Sequence, residues 1–362
     1  MKKILQICNY YYPHVGGIEQ VARDISQVLR EQNLEQKIIC FNEDAAADGY
    51  ACKRRETKED MIDGVSVIRC GCITKLRSQS ISLSFHGCLK KILREYQPEL
   101  VIFHYPNPWQ ALFLLKELPT ETKLILYWHL DIVKQKILGR LFQKQNLALI
   151  QRAEKVIATS PLYIEGSPWL QQAKEKCEVI PNCVNEERLK PTEASERRAM
   201  ELEKEYQGKI LCFAAGRHVP YKGMRYLVEA SKYLDDRFSI CIAGKGEETE
   251  TLKKMAEGDE KVHFLGRVSD DELKAYMQAA DIFCFPSITK NEAFGIALAE
   301  AMYYENPAVT FTIPGSGVNY VSLNGETGIE VCNGDSKAFA EAVKQLAEDP
   351  ERRQRLGQHA RE

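Results

Sequence analysis

Residues 209–234, KILCFAAGRHVPYKGMRYLVEASKYL, have the pattern of one strand, one loop and one helix in succession. The first part, KILCFAAG, is a short apolar run of the kind that forms a buried strand. The last part, MRYLVEASKYL, is helical in pattern, and the loop between them contains the glycine and proline that interrupt regular structure. A strand followed by a short loop and a helix is the repeating unit of parallel α/β sheets.

The same unit recurs on both sides of this segment. Strand-like apolar runs lie at residues 4–8, 37–40, 65–70, 100–105, 123–129, 155–159, 177–181, 238–244, 261–266, 281–286 and 306–311. Helical patterns separate several of them, and a final helix is expected at about 336–348. The sequence therefore predicts an α/β protein of two Rossmann-like, doubly wound domains that face each other across a cleft.

A proline-containing, highly charged segment at residues 181–198 separates the two series of strands and has the composition of a hinge. We therefore predict an N-terminal domain over residues 1–187 and a C-terminal domain over residues 188–362. Residues 1–175 carry a net positive charge and the remainder a net negative charge. This asymmetry suggests that each domain binds a different partner.

The composition is that of a soluble globular enzyme, with 44% hydrophobic residues, 28% charged residues and a formal net charge of −2. The 12 cysteines form no C-x-x-C pair, which argues against a zinc ribbon and fits a reducing cytosol. The apolar run at the N-terminus is too short for a signal peptide, and no run approaches the roughly 18 apolar residues of a membrane span. We expect a cytoplasmic protein, either away from membranes or at the inner face of the plasma membrane.

Two basic segments, residues 75–96 and 131–152, bear on membrane contact. Both combine Lys and Arg with apolar residues in the pattern of helices that lie on anionic lipid. Ordinary packing helices with a solvated basic face are an equally good interpretation. Nucleic acid is not expected as a partner, because no recognition motif accompanies the basic residues.

The loop AAGRHVPYKGM, residues 214–224, places Arg217 and Lys222 after a strand and before a helix. Two cations there suit a diphosphate, which they would bind through charge-assisted hydrogen bonds. The alternative is a pair of solvated surface charges. No D-x-D triplet occurs in the chain, so a metal–diphosphate site is not indicated and these cations are the candidates to neutralise phosphate charge.

The stretch KNEAFGIALAEAM, residues 290–302, contains good helix formers from Ala297 onwards. The backbone amides of Phe294, Gly295 and Ile296 would lie at the start of that helix, where negative charge is stabilised. This pattern predicts a second set of phosphate-binding groups.

Glu292 and Glu300 flank this helix start. On a continuous helix they would lie about 12 Å apart along the axis, too far to share a proton or a metal ion. We interpret them as holding two ends of one long ligand. Glu300 could accept hydrogen bonds from vicinal hydroxyls, as acidic residues do with ribose. The alternative is an exposed helical carboxylate, which its apolar neighbours argue against.

The N-terminal half contains two further candidates. Gly16 and Gly17 lie at a loop-to-helix junction after the first strand, where they permit close backbone approach of a ligand. They lack the G-x-G-x-x-G spacing, so a dehydrogenase is not supported. His129 ends an apolar strand, and either core packing or a catalytic role would place it there.

Eight motifs occur in an order that resembles a family-4 (group 1) retaining glycosyltransferase of the GT-B fold. They are PHVGGIEQ, VIATSP, VIPNCVN, GRHVPYKG, IAGKGEE, FLGRVSDDEL, DIFCFPS and NEAFGIALAEAM. The last contains the E-x7-E element of that family, here Glu292 and Glu300. The resemblance covers nearly the whole chain, and it implies that the long ligand is a nucleotide-sugar.

The resemblance implies a role for each candidate. The donor-binding residues would be Gly16, Gly17, Arg217, Lys222, Arg267, Val268, Phe294, Gly295, Ile296 and Glu300. The catalytic candidates are Glu292, at the sugar hydroxyls, and His129, near the reacting centre. Glu300 would hold the ribose, and the Arg267–Val268 loop would contact the base. No cofactor is expected, because the nucleoside-diphosphate-sugar is a substrate, and the resemblance implies that no metal is required.

The implied activity is a hexosyltransferase that retains the anomeric configuration. It would move a hexose from a nucleoside-diphosphate-sugar to a sugar or lipid-linked saccharide acceptor in bacterial cell-surface polysaccharide biosynthesis. Two alternatives are a GT-B enzyme that acts on a soluble acceptor and a catalytically silent subunit that only binds nucleotide-sugar. The family usually ends in a helix that returns to the N-terminal domain, and the sequence reaches Glu362 where we expect that helix to begin.

Overall fold

A computed structural model describes residues 2–14, 16–44, 49–76, 79–132 and 139–362. The chain divides into two compact units. The first holds the residues up to Thr159 together with Ser167–Ile180, and the second holds Ser160–Gly166 and Pro181–Glu362. The change of unit thus lies earlier than the predicted boundary at 187/188, and a short helical segment from the first half of the sequence belongs to the second unit.

The N-terminal unit contains twelve strands among its described residues. They are β1 (Lys3–Ile7), β2 (Glu35–Phe41), β3 (Glu43–Asp44), β4 (Gly49–Tyr50), β5 (Lys58–Ile62), β6 (Val65–Cys70), β7 (Thr74–Leu76), β8 (Gln79–Ile81), β9 (Leu100–Tyr105), β10 (Lys123–Trp128), β11 (Lys155–Ala158) and β12 (Cys177–Val179). Eight form one sheet in the order β12-β11-β10-β9-β1-β2-β6-β5, and β3-β4 and β7-β8 are small hairpins. Every pairing in the large sheet is parallel except that of β5 with β6.

The C-terminal unit contains six strands, β13 (Ile210–Ala215), β14 (Phe238–Ala243), β15 (Val262–Gly266), β16 (Ile282–Phe285), β17 (Ala308–Phe311) and β18 (Gly328–Val331). They form one parallel sheet in the order β15-β14-β13-β16-β17-β18. The central strands are apolar and almost fully buried, as expected for a sheet covered by helices on both faces. The predicted α/β class and the two Rossmann-like units are confirmed.

Helices connect the strands. They are α1 (Gly17–Glu31), α2 (Ser84–Glu95), α3 (Pro108–Glu117), α4 (Gly139–Arg152), α5 (Pro161–Gly166), α6 (Pro168–Gln171), α7 (Glu186–Leu189), α8 (Glu193–Glu205), α9 (Met224–Ala230), α10 (Thr249–Met255), α11 (Asp270–Ala279), α12 (Ile296–Tyr303), α13 (Val318–Val321), α14 (Ser336–Glu348) and α15 (Pro350–Arg361). The last predicted helix matches α14. Across the described residues, no helix combines the length and the apolar character needed to cross a membrane.

Strand order fixes where a ligand can bind in each unit. In the C-terminal sheet, the connections from β13 run outward to β14 and β15, whereas those from β16 run outward on the other side to β17 and β18. The direction of the connections therefore changes between β13 and β16. In the N-terminal sheet, the corresponding change of direction lies between β1 and β9. In open α/β sheets the crevice for a ligand forms at the carboxyl ends of the strands at such a point.

Candidate functional site

The loops that follow β13 and β16 meet at the carboxyl edge of the C-terminal sheet. Gly223 ends the first loop with a φ of 62°, a left-handed conformation that favours glycine. A Cβ atom on Gly223 would collide with the carbonyl oxygen of Pro286 in the second loop. Glycine is therefore required for the two loops to pack closely, and this contact brings their polar residues together.

Lys222 and Glu292 form an ion pair between these loops, with side chains that are 13% and 11% exposed. Ser287 Oγ lies 3.1 Å from the Glu292 carboxylate and donates a hydrogen bond to it. The Lys222 ammonium also lies 5.3 Å from the centre of the Phe285 ring. Burial by itself lowers the pKa of Lys222, but the charge and hydrogen bond of Glu292, together with Tyr221, outweigh burial and raise that pKa. The site therefore holds a charged, half-enclosed lysine.

Arg217 lies on the same loop but is exposed. One of its terminal nitrogens donates to the Tyr221 hydroxyl at 3.3 Å. The sequence assigned Arg217 and Lys222 to one diphosphate site, and the structure places both on one short loop at the end of β13. Lys222 is the enclosed member of the pair, whereas Arg217 reaches into solvent.

Helix α12 begins at Ile296, after Gly295 with a φ of 92°. The first amides of a helix have no acceptor within it, so this end of α12 offers donors to a ligand and carries a partial positive charge. Phe294 is buried beside them. Residues 292–295 are not helical, so the predicted 12 Å separation of Glu292 and Glu300 along one helix axis is wrong. Glu292 belongs to the loop and Glu300 to the second turn of α12.

Glu300 is buried and forms an ion pair with Arg188 of α7. The alternative of an exposed helical carboxylate is therefore wrong. Arg188 Nε is also buried and meets no acceptor among the residues that the structure describes. Sequence reasoning missed Arg188, because its partner lies 112 residues away and no local spacing connects them. The proline-containing hinge around it was the only available signal.

The remaining C-terminal candidates follow β15. Arg267 is exposed and Val268 is half-buried against the core of this unit. They lie just before α11, whose first turn contains Asp270, Asp271 and Glu272. The placement at the end of a parallel strand agrees with the edge that carries Lys222, and their contact with a base stays a prediction.

In the N-terminal unit, α1 begins at Gly17 and Gly16 is its extended N-cap residue. The carboxylate of Glu19 lies so close to Gly16 that a Cβ atom on Gly16 would collide with it. A negative charge therefore already lies at the helix end for which the sequence predicts phosphate contact. The Glu19 carboxylate is the end of a flexible side chain that could move aside, so this contact alone does not require glycine at position 16. Donor contact at Gly16 and Gly17 stays a prediction.

His129 follows β10 directly and is 5% exposed. Its Nε2 lies 2.9 Å from Nδ1 of His104, which is fully buried on β9. Its ring also stacks on Tyr127 with a centroid separation of 4.5 Å. Burial and the neighbouring His104 hold the pKa of His129 well below its usual value, and burial lowers the pKa of His104 to about 3. Both rings are therefore neutral near pH 7.

Because the pKa values of these buried histidines are lowered, we predict that the folded protein loses stability in acid. The unfolded chain protonates His104 near pH 6.5, whereas the folded chain does so only near pH 3, so acid favours unfolding as the pH falls below about 6.5. Between pH 7 and pH 5 we expect the free energy of unfolding of the N-terminal unit to fall by about 2 kcal/mol through His104 alone. Urea titrations followed by tryptophan fluorescence measure this, because the three tryptophans all lie in that unit.

The matched variants are His104→Gln and His359→Gln. The first removes the buried titrating group, and we expect it to reduce the acid-induced loss. The second removes an exposed histidine of α15 and should leave the loss unchanged. An equal pH dependence in all three proteins would show that His104 titrates normally in the folded state.

The two basic segments contain helices that pack against the N-terminal sheet. The apolar side of α2 is buried through Phe85, Leu89, Ile92 and Leu93, while Lys90 and Lys91 are exposed. Residues 77, 78 and 133–138 of these segments lie outside the described residues. The packing interpretation of α2 is supported, and its exposed basic side leaves contact with anionic lipid as a prediction.

Two family models match this chain. The family model described as "Glycosyltransferase Family 4" matches residues 15–188, and the one described as "Glycosyl transferases group 1" matches residues 196–362. Together they span both units.

Individual proteins are similar over almost the whole chain. The D-rhamnosyltransferase WbpZ of Pseudomonas aeruginosa is 29% identical over 97% of this chain and 88% of its own length. The O-antigen chain mannosyltransferase C of Escherichia coli is 27% identical over 99% of this chain and 92% of its own. The crystal structure of HepE from Anabaena in complex with UDP and glucose matches with a TM-score of 0.77 at 17% identity, over 100% of this chain and 94% of that one.

Proposed function

Because this chain belongs to the group 1, family-4 glycosyltransferases and has the GT-B fold, we propose that it transfers a hexose from a nucleoside-diphosphate-sugar to a saccharide or lipid-linked saccharide acceptor. The observation that carries this proposal is the Lys222–Glu292 pair at the carboxyl edge of the C-terminal sheet, beside the amino end of α12. A cation and unpaired amides at one edge suit a diphosphate, and an adjacent carboxylate suits sugar hydroxyls.

The proposed donor site lies within the C-terminal unit. Lys222 and the first amides of α12 would bind the diphosphate, with Arg217 approaching from the exposed side of the loop. Glu300 would accept hydrogen bonds from the ribose, and Arg267 and Val268 would contact the base. The Anabaena structure with UDP and glucose supports a nucleotide-sugar as the ligand class for this fold.

Catalysis would depend on charge that develops on the leaving diphosphate. A lysine and amides that are held in place before reaction stabilise this charge without reorganisation, which is the largest contribution in many enzymes. We assign Glu292 to the sugar hydroxyls and His129 to the reacting centre, as the resemblance implies. We further propose that the configuration at the anomeric carbon is retained and that no metal ion is needed, since Lys222 and the amides supply the positive charge.

The proposed pathway is the synthesis of a bacterial cell-surface polysaccharide or glycolipid on the cytoplasmic side of the membrane. Support comes from the O-antigen mannosyltransferase of Escherichia coli, to which the chain is similar along its whole length. The exposed lysines of α2 would favour an acceptor that is presented at an anionic membrane surface.

The test is calorimetric unfolding in the presence of UDP, GDP, ADP or CMP, each with a chelator. A nucleotide at 100 times its dissociation constant should stabilise the unit that binds it by about 2.7 kcal/mol. We expect one diphosphate to raise the transition of the C-terminal unit and the monophosphate to have little effect. If none of the four has an effect, the proposed donor site is wrong.

A further inference from the structure

A row of polar side chains crosses the N-terminal sheet inside its apolar core. Gln36 on β2, Gln6 on β1 and His104 on β9 are all buried, and His129 follows β10. Strand register places Gln36 opposite Ile4 and His104 opposite Tyr127. Since side chains alternate between the faces of a sheet, all four polar residues lie on one face. Parallel strands buried on both faces are normally apolar throughout, so this row is unusual.

The row is a continuous chain of hydrogen bonds. Gln36 Nε2 lies 2.6 Å from the backbone oxygen of Ser26 in α1. Gln36 Oε1 lies 3.3 Å from Gln6 Nε2, and Gln6 Oε1 lies 3.0 Å from His104 Nε2. His104 Nδ1 lies 2.9 Å from His129 Nε2.

The backbone oxygen at one end sets the direction of every bond. A carbonyl oxygen can only accept, so the Gln36 amide must direct its NH2 group at Ser26 and its oxygen at Gln6. Gln6 must then donate to Gln36 and accept from His104, which requires a proton on His104 Nε2. The neutral His104 ring therefore accepts at Nδ1, and His129 donates from Nε2.

We propose that Gln36, Gln6 and His104 are positioning residues that hold His129 in the Nε2–H tautomer, with Nδ1 as its hydrogen-bond acceptor. This inference rests on the proposed function, which assigns His129 to the reacting centre. The ring would then accept a hydrogen bond from a sugar hydroxyl and could not donate one. Within the described residues, no side chain donates to His129 Nδ1, so that nitrogen keeps its lone pair for a ligand.

The direct test is nitrogen NMR of the unliganded protein with labelled histidine. Long-range proton–nitrogen correlations distinguish protonated from unprotonated ring nitrogens, and His129→Gln assigns the His129 signals by their loss. We expect Nδ1 to be unprotonated and Nε2 protonated in both His129 and His104 at neutral pH. A proton on Nδ1 of His129, or a doubly protonated ring, would overturn the proposal.

Gln6→Met tests the row of hydrogen bonds, because methionine has a similar length to glutamine and cannot accept a strong hydrogen bond from His104. We expect a protonated population at His129 Nδ1 and a fall in kcat of about twofold or more, since the two tautomers become similar in energy. KM for the donor should not change. The control is Gln110→Met, which replaces another fully buried glutamine. Gln110 donates a hydrogen bond to the Cys8 carbonyl oxygen at 2.7 Å and is not part of the hydrogen-bonded row. It should keep the wild-type tautomer and kcat.

The two readouts separate this inference from the proposed function. If Gln6→Met keeps the wild-type tautomer of His129, the hydrogen-bonded chain does not control it and the inference is wrong. If the tautomer shifts and kcat does not, the chain controls the ring as inferred, but His129 has no part in the reaction that we propose.

Discussion

Replacing Lys222 by methionine is expected to lower kcat/KM by roughly 100- to 1,000-fold, the usual effect of removing one preorganised group that stabilises developing negative charge. Lys222 is the enclosed cation at the carboxyl edge of the C-terminal sheet, and Glu292 keeps it charged there. Methionine preserves the length and apolar contacts of the side chain but removes the charge. Steady-state kinetics with the donor identified by calorimetry measure the effect.

The control is Lys253→Met, which removes an exposed lysine paired with Glu250 on the surface of the same unit. Surface pairs of this kind contribute little, so activity should stay close to that of the wild type. If Lys222→Met retains more than about a tenth of wild-type kcat/KM, Lys222 does not stabilise the leaving diphosphate.

A double variant separates loss of charge from loss of structure. Lys222→Met leaves Glu292 half-enclosed without its cation, and breaking such a pair destabilises by up to about 3 kcal/mol. Lys222→Met/Glu292→Gln removes both charges and should recover most of this stability while activity stays low. If stability and activity recover together, the loss in the single variant came from unfolding.

Replacing Glu300 by glutamine is expected to weaken binding of the nucleoside diphosphate by roughly 100-fold. Hydrogen bonds to a charged group contribute about 1.5–3 kcal/mol each, and the loss of about 2.7 kcal/mol corresponds to two powers of ten. Glutamine keeps the size of the side chain but cannot accept as strongly from two ribose hydroxyls. Isothermal titration calorimetry below the unfolding transition measures the dissociation constant.

Arg188→Met is the matched control for this variant. It breaks the same buried ion pair but leaves the Glu300 carboxylate in place. If Glu300 binds ribose, Arg188→Met should keep the affinity within about threefold of the wild type, because stability and not binding changes. Equal losses in both variants would mean that the ion pair holds the site together and that Glu300 makes no ribose contact of its own.

Much of the fold follows from local sequence. The apolar runs at residues 65–70 and 100–105 coincide with β6 and β9, and the predicted last helix coincides with α14. These elements are predictable because burial on both faces demands continuous apolar residues. The edge strand β5, with the sequence KEDMI, was missed because an exposed edge imposes no such pattern.

The candidate site was predictable only in part. Lys222, Glu292 and Glu300 could be selected from loop position and from motifs, because the carboxyl ends of parallel strands meet at one edge. The residues that contact them could not be predicted in this way. Arg188 lies far from Glu300 in the sequence. Gln6 and His104 are isolated polar residues in apolar strands, Gln36 lies between Glu35 and Lys37 at the start of β2, and only strand register connects the three.

The sequence by itself determined the fold class and the presence of two units, and it selected the candidate side chains for a diphosphate, because strand periodicity and loop chemistry are local properties. The tertiary structure decided which charges neutralise each other and which tautomer His129 adopts. Ion pairs and hydrogen-bond directions depend on atoms brought together from distant parts of the chain. Buried donors need acceptors, so the direction of one hydrogen bond constrains the next. The carbonyl oxygen of Ser26 can therefore determine the tautomer of His129, which lies four hydrogen bonds away.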